Sequence, residues 1–273
     1  MATLPPRIMT KPGVAALASL VFPGLGHFLV GRPVRAVFAL TSTVGLFAIA
    51  FLVLGDRLWH LSPVPLSGLS RYFPVLLQPE FVNFGCTTAA ALIDGPVGDA
   101  RHMQLPRAGE HLWMFVSAAS SYAAVFWAAD ALWIAGAARD RKVAPAFAAF
   151  VSWILPGAGH VLGGQRSKGI LIGAVVVGMF ALGLLLGAGH SVDRPQMPFW
   201  WAGQSVFGGG VAFAAVFTGP LQMESYPPLL DLGVILCTIA GLMNAIVITD
   251  AWTVAENGTS ATEGAGAPSE VVA

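Results

Sequence analysis

The sequence predicts an all-α integral membrane protein: a helical bundle of two tandem parallel repeats, each with two full spans plus re-entrant or interfacial segments. Three observations predict it. The 273 residues are 56% hydrophobic and only 10% charged, with a mean hydropathy of +0.73, whereas a soluble domain carries about a quarter charged residues. Continuous apolar runs occupy residues 33 to 54, 111 to 138, 168 to 189 and 229 to 254. Each is near the roughly 20 residues that cross about 30 Å of hydrocarbon as a helix. Finally, one Pro-Gly-x-Gly-His pattern occurs twice. The apolar runs are unbroken rather than alternating, so they read as helices, which satisfy their own backbone bonds in lipid, and not as a barrel.

The repeat is carried by identical residues at one constant spacing. Ser19, Pro23, Gly24, Gly26, His27, Leu29 and Gly31 match Ser152, Pro156, Gly157, Gly159, His160, Leu162 and Gly164. A basic pair follows each copy, Arg32 and Arg35 in one and Arg166 and Lys168 in the other, and a long apolar run comes next. Each half also ends alike, with Asp130-Ala131 before Trp133 and Asp250-Ala251 before Trp252. Between lies a third semi-apolar segment, residues 75 to 93 in one half and 199 to 217 in the other, each finishing in Gly-Pro at Gly95-Pro96 and Gly219-Pro220. Repeat 1 is therefore assigned to residues 1–142, repeat 2 to 143–255, and a tail of disordered composition to 256–273. The first repeat holds a longer loop, between Asp94 and Glu110. Arg7 and Lys11 before an apolar stretch imitate a signal peptide, but the stretch recurs in mid-chain, which argues against removal.

Charge sets the expected topology. Arg139, Arg141 and Lys142 join the halves, and with the two basic pairs they mark the cytoplasmic side. Both termini are then cytoplasmic, and each His-bearing segment starts and ends inside as a re-entrant hairpin broken at Pro-Gly. The alternative is a short kinked span, since residues 13 to 31 make about 28 Å of helix. The count of spans runs from four to eight accordingly. Trp200 and Trp201 are placed as headgroup anchors on the outer side.

An ionisable side chain inside an apolar span costs roughly 2.5 to 3.5 kcal/mol on insertion scales and so faces protein or water. His27, His160, Asp130, Asp250 and the neutral Asn244 form the candidate intramembrane polar site. One reading is a duplicated proton or ion site, because His titrates near neutrality. The other is a hydrogen bond from His to Asp that ties a broken hairpin to a helix. Pro23, Gly24, Gly26, Pro156, Gly157 and Gly159 form the helix-break motif. Ser117, Ser120, Ser121 and Tyr122 are candidates to line the same interior, and interhelical hydrogen bonding accounts for them equally.

Several function classes lose ground. Net charge is zero and the basic residues are scattered in small groups, which disfavours a nucleic-acid partner. Cys86 and Cys237 have no CxxC spacing, no metalloprotease, lipase or Walker signature occurs, and no catalytic residue, cofactor or metal is expected. Gly169 with Gly173, and Gly183 with Gly187, have the spacing of close helix contacts, and Gly208-Gly209-Gly210 reads as tight packing or a bend.

The stretch from Pro23 to Arg32, repeated from Pro156 to Gln165, resembles a bacterial membrane motif of the form P-G-x-G-(H/Q)-(F/L)-Y-x-G. It is similar to a family catalogued as a domain of unknown function, and distantly to the two-helix transmembrane domain. Leu29 and Leu162 or their neighbours replace the motif's Tyr, and Gln165 stands where the first copy has Arg32. The resemblance implies a bacterial inner membrane and no particular activity. The expected partners are the lipid bilayer and a membrane protein or a second copy. The expected function is a non-catalytic accessory or scaffold subunit, the alternative a small ion, proton or solute transporter or channel.

Overall fold

The computed structural model describes residues 11–59, 78–94, 109–136, 143–218 and 225–257. The linker at 137–142, the Gly-Pro ends of the third segments, the loop at 95–108 and the tail after Asn257 lie outside them. Among the described residues all regular structure is helical.

In the first half, α1 (Pro12–Val21), α2 (Leu25–Leu29) and α3 (Pro33–Leu54) precede a 3-10 turn at Pro79–Val82, α4 (Phe84–Asp94) and α5 (Glu110–Ala135). The second half repeats the order as α6 (Pro145–Ile154), α7 (Ala158–Leu162), α8 (Arg166–Leu186), α9 (Pro198–Gln204), α10 (Gly208–Phe217) and α11 (Leu230–Asn257). Four helices, α3, α5, α8 and α11, are long and apolar enough to cross a membrane. The protein is a multi-pass membrane protein.

The broken motif has a physical reason at each position. Pro23 disfavours helix at the residue before it, and Phe22 is extended at φ −137°. Gly24 then starts α2 at φ +88°, as Gly157 starts α7 at φ +83°. Gly31 closes α2 with paired bonds, Gly31 N–H to Phe28 O at 3.0 Å and Arg32 N–H to His27 O at 2.8 Å. Gly164 and Gln165 do the same onto Val161 and His160. These are Schellman ends, in which a left-handed Gly lets orphan carbonyls find donors.

The chain reverses at the break. A Cβ on Gly26 would collide with the Ala15 carbonyl, and the Gly26 amide donates to Ser19 Oγ at 3.2 Å. An unbroken helix would hold residues 15 and 26 about 16 Å apart. Gly159 meets Ala148 and Ser152 identically, with a 3.0 Å bond to Ser152 Oγ. Pro12 lies against Gly136 at the end of α5, and Gly163 against Val254 near the end of α11. Each hairpin thus enters and leaves at the end that carries the basic pairs.

The third segments come in from the opposite end. Asn83 at the tip of the first donates to Ser120 at 3.2 Å. Ser205 and Val206 at the tip of the second accept from Trp153 Nε1 at 3.1 Å and Asn244 Nδ2 at 3.0 Å. The tips meet mid-bundle, where Gly85 lies against the Val21 carbonyl and Gly209 against that of Ile154. α1 with α4, and α6 with α10, make two interrupted crossings whose free C-terminal carbonyls face N-terminal amides, the favourable sense of the helix dipoles. Such irregular backbone survives at membrane depth only inside protein.

Candidate functional site

Each candidate pair closes into a three-residue clasp at the basic end. His27 Nε2–H donates to Asp130 Oδ2 at 3.1 Å, and Arg35 donates to the same oxygen at 2.7 Å. In the second half His160 Nε2–H donates to Asp250 Oδ2 at 2.7 Å and Lys168 Nζ approaches that oxygen at 2.6 Å. A carboxylate only accepts, so Nε2 carries the hydrogen of this bond in both rings. Their Nδ1 atoms are buried without a partner among the described residues.

The supports are local. The short α2 and α7 are held by their Gly ends, which fixes the His. Arg35 and Lys168 sit in the first turn or so of α3 and α8, and the aspartates sit late in α5 and α11. The clasp therefore ties hairpin, following span and last span of one half together. The two copies differ in exposure: the Asp130 side chain is 8% exposed, the Asp250 side chain 39%.

A family model described as a family of unknown function (DUF6677) matches the chain twice, over residues 14–129 and 147–263. The chain belongs to the DUF6677 family. Comparison with curated proteins and with solved structures finds no match. The family model matches once in each half, so the internal duplication belongs to this chain; the second match contains His160, Lys168 and Asp250, and the first contains His27 and Arg35 and ends one residue before Asp130.

Not every candidate joins a clasp. Asn244 does not: its Nδ2 bridges the Ser152 and Val206 carbonyls at 3.1 and 3.0 Å, six positions before Asp250 on α11, and so pins the two hairpin tips. Ser120 accepts from Asn83, and Tyr122 pairs with Ser205 at 2.9 Å, so these residues also serve mid-bundle contacts. Trp201 is no headgroup anchor. It is 2% exposed with the Arg194 guanidinium 4.9 Å from its ring centre, while Trp200 remains half-exposed. Gly169 and Gly173 pack on the Pro156–Gly157 turn and Val161, and Gly183 on Gly233 and Cys237, so both spacings serve contacts within the chain. Gly208 and Gly209 lie under Trp153 and Ile154, the tight packing expected of that triplet.

Two ion pairs escaped sequence reasoning. Arg194, 1% exposed, donates to Glu80 Oε1 at 2.7 Å and to the Met114 carbonyl at 3.0 Å, joining the halves. Arg57 holds Glu110 with two bonds of 2.8 and 2.6 Å. Arg57, Glu110 and Arg194 flank the apolar runs, where charge reads as solvated loop. Only the lone Glu80 inside a semi-apolar segment was a signal.

Proposed function

We propose that the protein is a non-catalytic accessory or scaffold subunit of a membrane assembly in a bacterial inner membrane, with basic end and termini cytoplasmic. The partner is another membrane protein or a second copy of the chain. One observation carries this reading: the imidazole of each clasp is buried and hydrogen-bonded through Nε2 alone among the described residues. The carboxylate oxygen already takes two donors, the imidazole is fully buried, and its second nitrogen meets no partner among the described residues. A proton relay needs both ring nitrogens connected. The clasp instead fastens a five-residue helix that could not stand alone.

A second reading, a small transporter or channel, is favoured by a different observation. Opposed hairpins meeting mid-bundle are discontinuous elements of the kind transporters use. Near the Glu80–Arg194 pair, Glu80 Oε2, Ser117 Oγ and Ser121 Oγ are buried without partners among the described residues.

Purification in mild detergent followed by reconstitution separates the two. The scaffold reading expects a stoichiometric membrane partner, or a defined homo-oligomer, and no proton or ion flux above empty vesicles. A monodisperse lone protein with flux that His27→Ala plus His160→Ala abolishes would overturn it.

A further inference from the structure

The two copies share the Ser, Pro, Gly and His residues that build the hairpin and differ between the first and last long spans of each half. Counted from the shared Asp, Trp127 and Trp133 of the first copy become Val247 and Thr253. Counted from the shared His, Ser42 becomes Val175. In the first copy Trp127 Nε1 donates to Ser42 Oγ at 2.8 Å, and its ring stands edge-on to His27 with centroids 5.5 Å apart. That indole covers the clasp.

In the second copy the same place is a groove of about 620 Å³ between α8 and α11. Its walls include Leu171, Val175, Met243, Val247 and Thr253, and Asp250 stands at its basic end. The volume falls in the range of about 300–1,000 Å³ typical of small-molecule sites. Asp250 opens to it: both protein bonds land on Oδ2, and Oδ1 takes none among the described residues. Lys168 is 46% exposed beside it.

We propose that this groove binds one phospholipid with a primary-ammonium headgroup, of the phosphatidylethanolamine class. An acyl chain lies between α8 and α11, the ammonium donates to Asp250 Oδ1, and the phosphate lies near Lys168. The charges select the class. A purely anionic headgroup meets the Asp250 carboxylate at the mouth. A quaternary amine has no N–H to donate, and the groove has lost the aromatic rings that hold such groups elsewhere. A primary ammonium with an adjacent phosphate matches both signs. This site is independent of the scaffold reading, since either a scaffold or a transporter can carry a structural lipid.

Native mass spectrometry of the full-length protein in mild detergent tests it, with phosphatidylethanolamine, phosphatidylcholine and phosphatidylglycerol added at equal concentration. The wild type is expected to retain the ethanolamine lipid about five-fold over either other lipid, the factor given by one charge-assisted hydrogen bond at a partly wet site. Val247→Trp restores the indole of the first copy and is expected to bring that retention down to the phosphatidylcholine level. Equal retention of the three lipids by the wild type, preference for phosphatidylglycerol, or unchanged retention in a folded Val247→Trp protein overturns the proposal. Should that variant not fold, the wild-type comparison decides alone.

Discussion

Asp130 and Asp250 hold the same position in two copies of one clasp, so replacing each by Asn compares burial at constant chemistry. In the first copy the side chain is 8% exposed and accepts from a fully buried His27 and from Arg35. Breaking a buried ion pair on one side costs about 3–5 kcal/mol, because the partner charge is stranded. Arg35 is 49% exposed and can turn to solvent or headgroups, which brings the expected loss for Asp130→Asn to about 2–3 kcal/mol. In the second copy Asp250 is 39% and Lys168 46% exposed, the regime in which a pair contributes about 0–1 kcal/mol. The Asn oxygen still accepts from His160 there, so Asp250→Asn is expected to cost about 1 kcal/mol or less. A gap of about 1–2 kcal/mol corresponds to roughly 2–8 °C in Tm for a chain of this size. The assay is thermal unfolding of both full-length variants in one detergent at one salt concentration. A second series at high salt should erase the small Asp250 effect and leave most of the Asp130 effect. Equal losses, or a larger loss for Asp250→Asn, would refute the claim that burial separates the two clasps.

Two further outcomes follow from backbone and charge. Gly157→Ala forces an L side chain to φ +83° and drives its Cβ into the Gly169 carbonyl; the left-handed backbone alone costs about 1–2 kcal/mol. Gly178→Ala, in open space on α8, should instead stabilise by about 0.5–1 kcal/mol, and equal Tm changes for the two would contradict the hairpin geometry. Asp193, in the α8–α9 connection, has its carboxyl pushed above the usual 3.8 by burial, with Glu110 adding to the rise while the Gln196 amide, His111 and His190 oppose it. A raised folded pKa means the folded state holds the proton more tightly. The penalty for the charged form is therefore full above that pKa and disappears as pH falls through it towards 3.8. Asp193→Asn is thus expected to raise Tm at neutral pH and to gain less near about pH 4; a pH-independent difference in Tm speaks against it.

The duplication and the four spans were legible in the sequence for one reason. Lipid leaves a chain few ways to satisfy its backbone, so run length and hydropathy nearly dictate where a helix crosses, and α3 begins and ends at the limits of its apolar run, residues 33 to 54. The Pro-Gly-x-Gly-His pattern was equally readable because its constraints are local: Pro23 bars helix before it, and Gly24 and Gly31 take up positive φ. A hydrogen bond from His27 to Asp130 was one of two readings open in the sequence, since costly polar groups inside a bundle have few partners, and the structure places the two in contact.

Local rules stop at what depends on a neighbouring element. Whether the His segment crosses or turns back was open in the sequence, and the packing of Gly26 on Ala15 decided that it turns back. The third donor in each clasp, Arg35 or Lys168, looked like a topology marker, because its reach to a carboxylate ninety-five or eighty-two positions away exists only once two helices are packed. Asn244 and Trp201 were misplaced for the same cause: depth was known, but the direction each side chain faces is set by the helix it packs against. The sequence by itself determined that two copies of one unit enter the bilayer and break at Pro-Gly, because solvation and backbone sterics act along the chain. Only the tertiary structure decided that Trp127 seals one clasp while Val247 leaves the other open beside a groove, because exposure belongs to the packed surface and not to any one residue.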